Sequence, residues 1–293
     1  MAAGAGGTKM GMQGTARPYV EPPAFAALDL GTNNCRLLIA EPCTSARGFR
    51  VVDSFSRIVR LGEGLHESGR LSDAAIARTI DALEVCADKI YRRQAAHVRC
   101  VATQACRAAI NGEDFLRQAR QRTGLTFEII TPEEEARLAV LGSLDLADPS
   151  YDVALVVDVG GGSTELCWID APAAARAAGA RCETPPILAW TSLPVGVVTL
   201  AERFREGEAE GWRDAMRNFV RETVGDFRGA DSWKPAFQSG RGHVIGASGT
   251  VTSLAGVHMR LARYDRAVVD GVWMDMRDAH AAAAQLGGMS QAE

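Results

Sequence analysis

The chain has 293 residues, 47% of them hydrophobic and 23% charged, with a net charge of -4 at neutral pH. That is globular composition, long enough for two domains, and it excludes a disordered chain and a general nucleic-acid binder. No apolar run approaches the roughly 20 residues that span a bilayer, so no membrane association is expected.

Residues 1–23 are rich in Gly and Ala, have no continuous apolar stretch, and are expected to form a disordered tail rather than a signal peptide. FAALDL (25–30) predicts a strand with an acidic residue, Asp29, near its end and Gly31 directly after it. CRLLIA (35–40) predicts a second strand and residues 49–62 a long third one. In residues 72–95, Ile76, Ile80, Leu83 and Ala87 fall on one helical face, with Ser72 placed to cap it. A strand is expected at 97–103, a helix at 112–122 and a strand at 126–130. TPEEEARL then opens a helix: Thr131 is a good N-cap, Pro132 fits the first turn, and the glutamates suit the positive end of the dipole.

The polar stretch DLADPSY (145–151) marks the expected boundary between a first domain, 24–145, and a second, 146–293. The second opens with strand, glycine turn and strand in YDVALVVDVGGGSTELCWID. A strand at 187–196, helices at 197–205 and 209–228, a strand–turn–helix at 243–257 and an Ala-rich helix at 275–286 complete the reading. Seven cysteines without a CxxC pair predict reduced thiols and a cytoplasmic location. The histidines show no zinc spacing.

Two segments repeat. FAALDLGTNNCRLLIA and ALVVDVGGGSTELCWI both run apolar strand, Asp, apolar residue, Gly, small or polar residues, strand. Asp29 and Asp158 share one slot; Gly31 and Gly160 share another. A repeat at this distance predicts two similar domains rather than a solenoid. Successive N–H groups on a glycine turn make a concave anion site, and a strand-end Asp can orient hydrated Mg2+ toward a phosphate. An ordinary hairpin with glycine at its turn explains either copy alone. ASGT (247–250) adds a third element, between a strand and a helix N-terminus.

The blocks DLGTNN, VATQACR, TPEEEARL, DVGGGSTEL, SLPVG and VIGASGTVTSLAG, in this order, resemble the exopolyphosphatase and guanosine pentaphosphate phosphatase (Ppx/GppA) family over residues 25–290. The resemblance implies an α/β fold of two duplicated ribonuclease H-like, actin-like ATPase domains flanking an active-site cleft. It implies hydrolysis of terminal phosphate from inorganic polyphosphate or guanosine pentaphosphate, with Mg2+ as cofactor. It assigns Glu135 as catalytic base. It gives Asp29, Asp158 and Glu165 to the metal. It gives phosphate contacts to Asn33, Arg107, Gly160, Gly161, Gly162, Ser163, Thr164, Gly246, Ser248, Gly249 and Thr250. Adjacent carboxylates in the glutamate run are expected to raise one another's pKa.

The family continues past the Ala-rich helix with a further strand and helix, whereas this sequence stops at MSQAE, so a C-terminal segment is expected to be lacking. A kinase on the same fold and a nucleotide-binding actin-like scaffold are the competing readings. The sequence does not separate polyphosphate from guanosine pentaphosphate. A homodimer is the assembly expected from the family.

Overall fold

Residues 25–30 alternate outward and inward, so that Ala26, Leu28 and Leu30 are buried on one face, and this period of two makes them a strand, β1 (Phe25–Leu30). The computed structural model describes residues 23–45, 48–179, 182–207, 211–225, 227 and 230–289. All but the last residue of the expected N-terminal tail lies outside them.

From β1 the chain forms β2 (Asn34–Pro42), β3 (Phe49–Ile58), α1 (Leu65–Ser68), α2 (Asp73–Arg92), β4 (His97–Ala102), α3 (Gln104–Ala108), α4 (Gly112–Thr123), β5 (Phe127–Ile129) and α5 (Pro132–Leu141). A 3-10 turn, Leu144–Leu146, leads to β6 (Val153–Val159), β7 (Thr164–Asp170), α6 (Ala171–Ala177), β8 (Ile187–Leu193), α7 (Val197–Arg203), α8 (Trp212–Gly225) and α9 (Ala230–Gln238). The last elements are β9 (Gly242–Ala247), α10 (Ser248–His258), α11 (Arg266–Val269) and α12 (Met276–Gly288).

Two sheets result. The first has the order β3-β2-β1-β4-β5 and the second the order β8-β7-β6-β9. In each, three strands form an antiparallel meander and a fourth joins the first in parallel. This is the duplicated ribonuclease H-like, actin-type architecture that the family resemblance implies. Among the described residues the second sheet has no counterpart of β5.

The first core lies between sheet and helices, with Leu28, Ile39, Leu83 and Phe115 fully buried. Truncating such a ring to alanine costs about 3–5 kcal/mol. The predicted face of α2 is largely realised: Ile80 and Leu83 are buried, and Ile76 and Ala87 pack against the core from its margin. Ser72 caps the helix, accepting from the Ala75 N–H at 3.2 Å. The third strand ends at Ile58 rather than near residue 62, because residues 59–62 turn back to bond the first hairpin.

The packing moves the expected domain boundary. Ala136 and Val140 of α5 belong to the core of the second sheet, together with Ala154, Val156, Cys167 and Ile169. The helix assigned to the first domain therefore packs with the second, and the change of core falls between β5 and α5. The polar stretch that suggested residue 145 is a surface turn, which polar composition marks equally well.

Candidate functional site

Both glycine turns close in the same way. The Gly31 N–H donates to the Asn34 carbonyl and the Gly160 N–H to the Ser163 carbonyl, each at 2.9 Å. The turns meet. A Cβ placed on Gly161 would lie 3.0 Å from the Asn33 N and Cβ and the Thr32 Cβ, and one on Gly162 would lie 2.7 Å from the Thr32 hydroxyl. Glycine is required here by close approach of one turn to the other.

The hairpin register sets what stands beside each turn. Asp29 pairs with Arg36, and Asp158 pairs with Glu165. Burial pushes the Asp29 carboxyl up to about 6, Arg36 opposes the shift, and Asp158 adds to it. Burial likewise pushes Asp158 up, against the Ser248 hydroxyl and Arg36. Glu165 is almost wholly buried and rises to about 7, through burial first and then the Glu135 charge, despite a 2.8 Å bond from the Ser192 hydroxyl. Desolvation and like charge both favour the protonated acid.

The glutamate run of α5 divides three ways. Glu133 is exposed. Glu134 binds Arg137 at 2.6 Å and Arg99 at 3.1 Å, and these guanidinium groups, Arg137 foremost, hold it down to about 2. Glu135 turns toward the other acids. Burial pushes it up, Arg107 opposes, and Asp29 and Asp158 add to the push. The expectation that neighbouring glutamates raise one another is thus corrected. The rise at Glu135 comes from burial and from carboxylates on the two hairpins, while Glu134 is neutralised by arginines.

Arg107, on α3, is fixed by three acceptors: the Ile130 carbonyl at 2.5 Å, the Gln104 side chain at 2.9 Å and Glu135 Oε2 at 3.2 Å. The ASGT residues gather at the start of α10. The Ser248 hydroxyl donates to the Val159 carbonyl at 2.6 Å and the Thr250 hydroxyl to the same oxygen at 3.1 Å. Gly249 follows in the first turn, where helix N–H groups lack intrahelical acceptors. The Thr164 hydroxyl is spent on the Val195 carbonyl at 2.6 Å, and Ser163 is buried against Glu165. Gly246 stands back from the turn, inside β9 opposite Val157, where the absence of a Cβ makes room for Val251.

Sequence reasoning missed Arg36. Its guanidinium reaches from the first hairpin to within 3.1 Å of where a Gly249 Cβ would be, so it spans from the first sheet to the start of α10. The repeat held the signal, since Arg36 fills the slot that Glu165 fills in the second copy. It also missed Gly196, whose missing Cβ admits the Gly161 backbone.

Four acids, two arginines and a helix N-terminus thus surround the meeting point of two glycine turns. The family model for the Ppx/GppA phosphatase family matches residues 40–270. The chain belongs to the Ppx/GppA phosphatase family. It is 33% identical over 238 residues to a guanosine-5'-triphosphate,3'-diphosphate pyrophosphatase of Photobacterium profundum, covering 79% of this chain and 43% of that protein. It therefore spans less than half the length of that relative. Among solved structures, an exopolyphosphatase-like protein superposes with a TM-score of 0.75 at 31% identity, covering 92% of this chain and 80% of the other. The Ppx/GppA family member of Aquifex aeolicus superposes with a TM-score of 0.61 at 28% identity, covering 83% and 72%.

Proposed function

We propose that this Ppx/GppA protein hydrolyses the terminal phosphoanhydride bond of inorganic polyphosphate or guanosine pentaphosphate. One observation carries the reading. Of three adjacent glutamates, Glu135 alone joins Asp29, Asp158 and Glu165 while held by an arginine. In this reaction water attacks the terminal phosphorus, the P–O bond to the bridging oxygen breaks, and the water proton passes to Glu135. Phosphoryl transfer asks for an oriented nucleophile and neutralised oxygens more than for covalent chemistry. Burial raises Glu135 above an ordinary carboxylate while Arg107 opposes the rise, and a raised carboxylate is a stronger proton acceptor.

Arg107 fixes the Glu135 carboxylate and offers its fork to a phosphate oxygen. Arg36 and the first turn of α10 add positive potential on the opposite side. The backbone of Gly160, Gly161 and Gly162, with Asn33 facing it, forms the turn on which the terminal phosphate rests.

The acid set fits a divalent cation. All its donors are carboxylate oxygens, and they raise one another's pKa as uncompensated buried acids do. Among the described residues no three His, Cys, Asp or Glu side chains enclose an ion. Mg2+ takes one or two carboxylates and completes its shell with water and substrate phosphate. One or two of Asp29, Asp158 and Glu165 would hold it directly and the rest through its water, and the bound ion would supply charge neutralisation at the phosphate oxygens. Among the described residues no helix is long and apolar enough to cross a membrane. Buried free thiols such as Cys35, Cys86 and Cys106 accord with a cytoplasmic location.

The test is phosphate release from long-chain polyphosphate and from guanosine pentaphosphate, with Mg2+, for the wild type and Glu135→Gln. Release that is lost in the variant while substrate still binds supports the reading, and the rate ratio names the preferred substrate. A folded wild type that releases phosphate from neither overturns it.

A further inference from the structure

A backbone-to-carboxylate bond ties the two halves together outside the acid cluster. The Gly64 N–H donates to Glu202 Oε1 at 2.8 Å, across 138 positions of sequence. The other oxygen, Oε2, is buried and has no partner among the described residues. A buried carboxylate oxygen without a donor is unfavourable. A role that needs only Oε1 accounts for its presence.

Each end of this bond is anchored to one glycine turn. On the first side, the Val59 and Arg60 N–H groups donate to the Asn33 carbonyl at 2.8 and 3.0 Å, and the Gly62 N–H donates to the Thr32 carbonyl at 2.9 Å. A Cβ on Gly62 would run into the Thr32 methyl, so the loop sits hard against that turn. On the second side, Glu202 lies on α7. The first N–H groups of α7 hold the other turn: Val197 donates to the Gly160 carbonyl at 3.0 Å and Val198 to the Gly161 carbonyl at 2.8 Å. The direct contact of Gly161 with Asn33 closes the ring. An exposed ion pair, Arg205 to Glu67 at 3.0 Å, follows the same path on the surface.

We propose that Glu202 is a positioning residue that fixes the spacing of the two phosphate turns through its bond to the Gly64 N–H. The inference rests on the reading of those turns as the phosphate clamp. It needs an acceptor oxygen at the end of a side chain of this length, and it does not need a charge. Glutamine preserves that acceptor. Methionine fills a similar volume and removes it.

The experiment compares wild type, Glu202→Gln and Glu202→Met as full chains, by hydrogen–deuterium exchange and by steady-state phosphate release from polyphosphate. In Glu202→Met, without any substrate, amides of residues 29–34 and 160–164 should exchange at least about fivefold faster, because local opening frees both turns. Peptides from α2 stay protected, which shows that the variant is folded. KM should rise about tenfold with kcat changed less than about twofold, as expected for lost ground-state positioning. Glu202→Gln should match wild type in every readout. Faster exchange confined to residues 62–65 and 197–203 would overturn the proposal, and so would a Glu202→Gln protein that behaves like Glu202→Met. Absence of phosphatase activity in the wild type would sink the functional reading instead, and the exchange measurement would still decide whether Glu202 spaces the turns.

Discussion

Arg36 and Glu165 occupy the same position in two copies of one hairpin, Arg36 opposite Asp29 and Glu165 opposite Asp158. The duplication has diverged at the slot beside the strand-end acid, placing a cation in one half and a third carboxylate in the other. The cation opposes protonation of both aspartates. The proposed hydrolysis needs both signs close together, and this pair supplies them.

Replacing Arg36 by Gln should therefore act in two ways. Loss of a charge-assisted contact to phosphate should raise KM about 10- to 100-fold. Asp29 and Asp158 should both hold protons to higher pH, so the acid limb of the kcat profile should move up. Arg36→Lys should recover part of the KM, since a point charge replaces a fork. Saturation kinetics across pH check this, and an unchanged KM in Arg36→Gln would remove Arg36 from the substrate path.

Arg107 and Glu135 make the second test. Glu135→Gln should lower kcat about 100- to 10,000-fold, the range for loss of a general base. Arg107→Ala removes the cation that opposes the upward push on Glu135. The pKa governing the acid limb should then rise further, and activity at pH 6 should fall more than activity at pH 8. A pH–rate profile shifted the other way would mean that Arg107 does not act on Glu135.

The sequence made the hairpins, the Thr131 cap and the turn glycines legible because each has a local cause. A strand-end Asp before Gly, an N-cap hydroxyl before Pro and a period of two need no knowledge of distant residues. What it concealed depends on distant partners. Nothing in the run Glu133, Glu134, Glu135 says that Arg99 and Arg137 neutralise the middle member. Nothing local attaches α5 to the second sheet, because Ala136 and Val140 would suit either core. Gly196 and Glu202 look like ordinary turn and helix residues until Gly161 and Gly64 stand against them.

Asp53 offers a pH test away from the cleft. Lys89 at 2.7 Å, Arg93 at 3.1 Å and the Ser54 N–H at 2.8 Å hold its carboxyl down to about 2, Lys89 foremost. The folded pKa lies below the unfolded one, so this stabilisation is present above about pH 4 and is lost as pH falls toward 2. Thermal unfolding should show wild type less stable at pH 2.5 than at pH 5 by a larger margin than Asp53→Asn. Equal margins would show that strand β3 and helix α2 are not joined through this carboxylate.

Ser248 separates backbone strain from side-chain function. Its φ of 69° lies in the left-handed region, which costs a non-glycine residue about 1–2 kcal/mol. Its hydroxyl in turn bonds the Val159 carbonyl and lowers the pKa of Asp158. Ser248→Gly gives up a hydrogen bond worth about 1 kcal/mol and relieves a strain of similar size, so its stability should stay within about 1 kcal/mol of wild type. Ser248→Ala gives up the bond and keeps the strain, and should be about 1–2 kcal/mol less stable. Both variants should lose activity alike, because both remove the hydroxyl that opposes the upward push on Asp158. Urea unfolding together with phosphate release decides the matter. If Ser248→Gly keeps full activity, the hydroxyl serves the fold at the start of α10 and the acid beside it needs no help.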